Sequence, residues 1–175
     1  INRTPPKTQA ALREAMQEKA VTVAGHNFEL DLPFFVLATQ NPIDQEGTYP
    51  LPEAQLDRFL FKLVVGYPSE AELTEVLNRT TEGADITINS IATADQILSM
   101  QQLVREVPVA SHVKNFAVRL VLATHPGTET ALPVTDQFLR FGSSPRGAQA
   151  LVLAGKVKAL SEGRFNVSLD VCSSD

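Results

Sequence analysis

Residues Leu32 to Phe59 read LPFFVLATQNPIDQEGTYPLPEAQLDRF, and the fold turns on this stretch. It opens with an apolar run, Pro33-Phe34-Phe35-Val36-Leu37-Ala38, that becomes polar at once in Thr39-Gln40-Asn41. An unbroken apolar run predicts a strand at 34–38 covered on both faces, as in a parallel α/β sheet; a half-exposed strand would alternate. In open sheets of that kind ligands bind beyond the carboxyl ends of the strands, where Asn41 falls. A carboxamide there can orient a water through its carbonyl and donate to a phosphate oxygen through its NH₂. The alternative is that Asn41-Pro42 only starts a turn. After a loop broken by Gly47, Pro50 and Pro52, a short helix is predicted from Glu53, with Asp57-Arg58 set between Leu56 and Phe59. The Arg58 guanidinium suits a bidentate phosphate contact, or equally an internal ion pair with Asp57 or Glu53.

On the N-terminal side, Thr4-Pro5-Pro6 reads as a helix start with Thr4 as N-cap. Leu12, Ala15, Met16 and Lys19 then follow at helical spacing to about Glu18. VTVAGHNFEL alternates about Ala24-Gly25-His26-Asn27 and predicts a hairpin over 21–30. On the C-terminal side LFKLVVGYP predicts a second strand, closed by Gly66 and Pro68.

From Ser69 the pattern becomes helical. Ser69-x-x-Glu72 and Thr93-x-x-Gln96 are capping boxes ahead of apolar periods, Leu73, Val76 and Leu77 in one case and Ile97, Met100 and Val104 in the other. Ser111 is the expected cap of a helix striped by Val113, Phe116, Ala117, Leu120 and Val121. Residues 128–144 read as a loop, and Ser144-Pro145 opens a last helix carrying Ala148, Leu151, Val152 and Ala159. Arg146 in its first turn adds a formal charge to an end that already attracts anions; an acidic side chain would serve it as well as a phosphate. The fold class expected is α/β followed by all-α, divided as 1–67 and 68–175.

Composition narrows the function. The 175 residues are 43% hydrophobic and 20% charged, too apolar for a disordered segment. A net charge of −5 argues against a general nucleic-acid surface. The one cysteine, Cys172, rules out an internal disulfide and a cysteine metal cluster. His26, His112 and His125 lack ligand spacing and read as surface or cap residues. No apolar run approaches the roughly 20 residues that span a bilayer, and INRTPPK is no signal peptide, so the reading is cytoplasmic. There is no Gly-x-x-x-x-Gly-Lys-[Ser/Thr] phosphate loop in the chain.

INRTPPKTQAALREAMQEK, PFFVLATQNPIDQEGTYPLPEAQLDRF and GSSPRGAQAL together closely resemble the MoxR family of AAA+ ATPases, in family order and over nearly the whole chain. The resemblance implies the C-terminal part of a P-loop AAA+ core followed by a helical lid. The Walker B acids are expected just before Ile1 and the Walker A loop further upstream, so the chain reads as a piece of a longer protein. Asn41 matches sensor 1, which positions the attacking water, and Arg58 matches the arginine finger that reaches a neighbouring subunit. Arg146 matches the sensor 2 arginine of the lid. Asn2 and Arg3 match supporting positions, and 21–30 matches the hairpin that precedes sensor 1. His125 in VLATHP departs from the arginine expected there.

The cofactors implied are ATP and Mg²⁺, each needing residues beyond these 175. The partners implied are further copies of the chain in a ring, a hexamer, and a client protein, for which a von Willebrand A-type domain protein is a candidate. The function implied is ATP-driven, chaperone-like remodelling or maturation of protein partners. The 175 residues alone are expected to be inactive and poorly soluble, with the 34–38 strand left unpaired. The competing reading is a non-catalytic protein-binding module with a vestigial nucleotide site.

Overall fold

The computed structural model describes residues 1, 4–40, 51–81 and 88–169. Its first element is helix α1, Pro6–Glu18. Proline at the first helical position loses no hydrogen bond, because that N–H has no intrahelical acceptor. The cap is Pro5 rather than the expected Thr4, and Thr4 instead offers its carbonyl to the buried Gln9 amide at 3.1 Å. Lys19 ends the helix in a left-handed conformation, its N–H returning to the Ala15 carbonyl. Strands β1, Ala20–Val23, and β2, His26–Glu29, then form an antiparallel hairpin pairing Val21 with Phe28 and Thr22 with Asn27. Ala24 and Gly25 both have positive φ, 50° and 83°, the condition for the two-residue turn whose twist matches the strands. The predicted hairpin is therefore present, shifted by one residue. α1 packs on β1, and Ala15 of the one and Ala20 of the other are buried.

The apolar run at 34–38 is extended but joins no sheet among the described residues, and Phe35 and Leu37 are exposed. Residues 60–67 behave alike, with Leu63, Val64 and Val65 in solvent. Both were expected as strands. A strand is completed by a neighbour that takes its N–H and C=O groups, and the described residues supply no neighbour for either segment.

Between them lies α2, Glu53–Leu56, starting where predicted. Helices α3, Glu70–Thr81, and α4, Ala94–Glu106, follow. The predicted box at Thr93 is complete: Gln96 N–H donates to the Thr93 hydroxyl at 3.3 Å and Thr93 N–H to the Gln96 amide oxygen at 2.8 Å. At Ser69 the same exchange is made with Glu72, at 3.3 and 2.7 Å.

Helix α5 covers Ser111–Ala123, with Ala110 as its N-cap and Ser111 already inside the helix, one residue off the expected cap. The segment read as a loop contains a further helix, α6, Pro133–Phe138. Pro133 marks its first turn rather than a break, and the buried Thr135 hydroxyl donates to the Ala123 carbonyl at the end of α5 (2.8 Å). The last helix, α7, Pro145–Ser161, packs against α4 and α5. Gly155 and Ala159 are buried on it, so small residues let the helices approach closely. Val107, Val113 and Val167 form the core of this part, joined by Val109 and Leu160, and Val109 bridges Val167 in parallel. Lys156 of α7 donates to the Arg105 carbonyl at 2.7 Å, meeting an otherwise unsatisfied carbonyl in the last turn of α4.

Candidate functional site

The turn that closes α2 sets the site. Asp57 N–H bonds the Glu53 carbonyl at 2.9 Å and Arg58 N–H the Gln55 carbonyl at 3.3 Å, which fixes the Asp57-Arg58 backbone to that helix. Arg58 then folds back: its Nη1 donates to the Ala54 carbonyl, while its Nε is buried with no acceptor among the described residues. Its stem lies against Leu12, Met16, Leu51 and Phe59 around a residual void of about 10 Å³. The alkyl part of the arginine is thereby held by α1 and α2, and the guanidinium is left at an edge.

At that edge is an open cleft of about 290 Å³, lined by Met16, Gln17, Glu18, Arg58 and Arg146. The two arginines singled out from the sequence, 88 positions apart by number (146 − 58), face the same space. Asn41, the third predicted site residue, lies outside the described residues, as do Asn2 and Arg3.

Arg146 reaches the cleft because α7 begins where predicted. The Ser144 hydroxyl caps the helix by accepting from Arg146 N–H at 3.1 Å, and Pro145 occupies the first position. Ahead of the cap, Ser143 is held at both ends by the close of α5. Its N–H donates to the Thr124 hydroxyl at 2.8 Å, and His125 Nε2 donates to its carbonyl at 2.9 Å. Gly142 is required beneath that imidazole, since a Cβ there would lie 2.5 Å from the ring carbon Cγ. At Gly147 an added Cβ would lie 2.1 Å from the Ser143 hydroxyl oxygen, so that hydroxyl would have to rotate away. His125 is thus part of the scaffold of the α7 start, a contact its sequence position did not disclose.

Asp57 is the residue whose role the sequence concealed. Its carboxylate accepts from the Ser144 hydroxyl at 2.6 Å and from Arg146 Nη1 at 2.9 Å. The sequence offered Asp57 as a partner for Arg58; the ion pair it forms is with Arg146. The Ser144 hydrogen bond first, and the Arg146 hydrogen bond second, hold the Asp57 carboxyl below its usual value, so it is ionised at neutral pH.

Two guanidinium groups and a serine-capped helix N-terminus on one open face are donors for a multiply charged oxyanion. Glu18 at the rim and Asp57 behind Arg146 oppose them, two charges of each sign. Among the described residues no group of three His, Cys, Asp or Glu side chains could hold a metal ion. Among them, too, no helix is long and apolar enough to cross a membrane.

Comparison with known proteins bears on this arrangement. Residues 1–61 match the model of the ATPase family associated with various cellular activities (AAA). The chain is 46% identical over 173 residues to YeaC, an uncharacterised protein of Bacillus subtilis, covering 97% of this chain and 51% of that one. It is 41% identical over 164 residues to chaperone MoxR1 of Mycobacterium tuberculosis, covering 94% and 43% respectively. A crystal structure from Cytophaga hutchinsonii, described provisionally as an ATPase, superposes with a TM-score of 0.87 at 36% identity, over 98% of this chain and 52% of that one. The chain therefore spans about half the length of the relatives it matches, and it has the α/β-then-helical fold of the corresponding part of an AAA ATPase.

Proposed function

Because the chain belongs to the MoxR family of AAA+ ATPases, we propose that it forms part of an ATP-hydrolysing, chaperone-like machine. That machine is a cytoplasmic ring of identical subunits, six in number, that remodels or matures protein partners, a von Willebrand A-type domain protein among the candidates. The observation that carries the reading is the convergence of Arg58 and Arg146 on one open cleft beside a capped helix N-terminus.

In this reading residues 1–67 belong to the nucleotide-binding core and 68–175 to the lid. Arg58 is the finger offered to a neighbouring subunit's γ-phosphate, Arg146 is sensor 2, and Asn41 is sensor 1, which orients the attacking water. The residues present fit a polyphosphate. Arg146 Nη1 and the Ser144 hydroxyl already donate to a carboxylate, Asp57, and Arg58 lines the same cleft, so the donors present suit an oxyanion. ATP bound there supplies the phosphoanhydride that is cleaved. Mg²⁺ would be held by residues outside those described. The work of this chain is positioning and charge stabilisation, the principal means by which proteins accelerate phosphoryl transfer. The 175 residues by themselves are expected not to turn over ATP.

The test is Arg58→Ala in the full-length, assembled protein. Hydrolysis is expected to fall by on the order of 10³ or more, the range of arginine fingers in GTPases, with ATP binding retained. Turnover at the normal rate overturns the finger assignment. A second reading, a non-catalytic protein-binding module, draws on the Asp57–Arg146 pair, which leaves Arg146 already neutralised. It becomes the better account if the whole protein lacks a Walker A loop or the Walker B glutamate.

A further inference from the structure

The cleft between Arg58 and Arg146 already has an anion attached to one of its walls. Asp57 Oδ1 takes the Ser144 hydroxyl at 2.6 Å and Oδ2 takes Arg146 Nη1 at 2.9 Å. A cap hydroxyl and a guanidinium at the start of a helix are the donors a phosphate would take. The acceptor is a side chain of the residue next to Arg58, and the backbone of both belongs to the closing turn of α2. With Asp57 and Glu18 counted against Arg58 and Arg146, the site is electrically balanced; without Asp57 it is positive.

Resting on the phosphate reading of Arg58 and Arg146, we infer that Asp57 is a positioning residue that acts as an internal anion. It holds Ser144 and Arg146 against the end of α2 until a polyphosphate displaces it, and its release frees Ser144 and Arg146 for the ligand. The pair is suited to exchange. Its side chains keep 49% (Arg146) and 27% (Asp57) of their surface in solvent, and a half-exposed ion pair is held weakly. A polyphosphate brings several charges where Asp57 brings one. The same displacement links the two arginines, since Arg146 Nη1 cannot move to a ligand without letting go of the residue beside Arg58.

The experiment is calorimetric titration of the full-length protein with inorganic tripolyphosphate, followed by ATPase kinetics. Asp57→Asn keeps the shape of the side chain and removes its charge. It is expected to tighten tripolyphosphate binding roughly two- to fivefold, the factor that corresponds to an exposed ion pair, and to lower KM for ATP by a similar factor. A purely structural Asp57 gives the reverse, weaker binding and a higher KM. Asp57→Glu, which restores a carboxylate, is expected to return affinity toward the starting value. In an Arg146→Ala background the Asn substitution should tighten binding less, because only the Ser144 hydroxyl is left to release. Equal tightening by Glu53→Gln, a nearby carboxylate on α2, reduces the effect to general charge and overturns the inference. So does unchanged or weakened binding in Asp57→Asn while Arg146→Ala loses affinity, an outcome that leaves the phosphate reading intact. If Arg146→Ala leaves binding unchanged, the phosphate reading of that residue itself fails. Should the Asn variant not fold, Asp57→Ser removes the same charge and is read in the same way.

Discussion

Asp57 and Arg146, 89 residues apart, are joined at 2.9 Å, and the Ser144 hydroxyl lies 2.6 Å from the other oxygen of the same carboxylate. The end of α2 and the start of α7 are thereby one electrostatic unit, although they belong to segments of different texture in the sequence.

That unit has a pH signature. The Ser144 and Arg146 hydrogen bonds lower the Asp57 pKa in the folded protein from its ordinary 3.8. A depressed folded-state pKa contributes stability that is complete above the unfolded value and is lost as pH falls through the folded value. The stability difference between the unsubstituted chain and Asp57→Asn should therefore be constant from about pH 7 to 5 and shrink below about 3.8, with a plateau of no more than about 1 kcal/mol for so exposed a pair. Urea unfolding at a series of pH values checks this. A difference that persists unchanged at pH 3 contradicts it.

The His125 clasp predicts a conditional effect of a small substitution. Gly142→Ala places a methyl 2.5 Å from the imidazole Cγ, and the ring cannot withdraw without breaking its 2.9 Å bond to the Ser143 carbonyl. A loss of about 1–3 kcal/mol is expected, the usual cost of overpacking. In a His125→Ala background the same substitution should cost much less, because the obstructing ring is gone. Denaturant midpoints of the four variants decide the matter, and additive losses would place the strain elsewhere.

Helix α4 gives a local prediction. Thr93→Ala removes the hydroxyl that accepts from Gln96 N–H, and loss of such a cap costs about 1 kcal/mol. Gln96→Ala removes only the return bond to Thr93 N–H, which can be replaced by water, and should cost less. Equal losses from the two would mean that the hydroxyl is not the main contributor. Thermal unfolding is the measurement.

What was legible in the sequence follows from the range of each interaction. Caps at Thr93, Ser69 and Ser144 depend on residues two or three positions away, and all three form. The hairpin turn needs two consecutive residues of positive φ, and Ala24-Gly25 supplies them within one residue of the expected place. Residues 34–38 carry a strand pattern yet have no strand partner among the described residues, since a pattern states which faces can be buried and not where the partner comes from. α6 lies in a segment read as a loop, and the Thr135–Ala123 bond that anchors it is tertiary. In the site, Arg58 and Arg146 were recognisable one by one from their motifs. Their common cleft and the Asp57 contact were not, being separated by 88 or more positions in the chain.

The last prediction concerns what Arg58 contributes beyond charge. Its Nη1 is already committed to the Ala54 carbonyl, so the guanidinium is oriented by its own helix before any ligand arrives. Lysine keeps the charge but has a single donor group on a flexible stem; it cannot hold Ala54 and present a second edge at the same time. Arg58→Lys in the full-length protein should therefore hydrolyse ATP within about tenfold of Arg58→Ala, rather than near the unsubstituted rate, if a preorganised donor stabilises the transition state. Nucleotide affinity, measured separately, should stay close to that of the unsubstituted protein. Recovery of more than half the original rate by lysine would show that charge alone suffices at this position, and the anchoring of Arg58 to Ala54 would then be a feature of stability and not of catalysis.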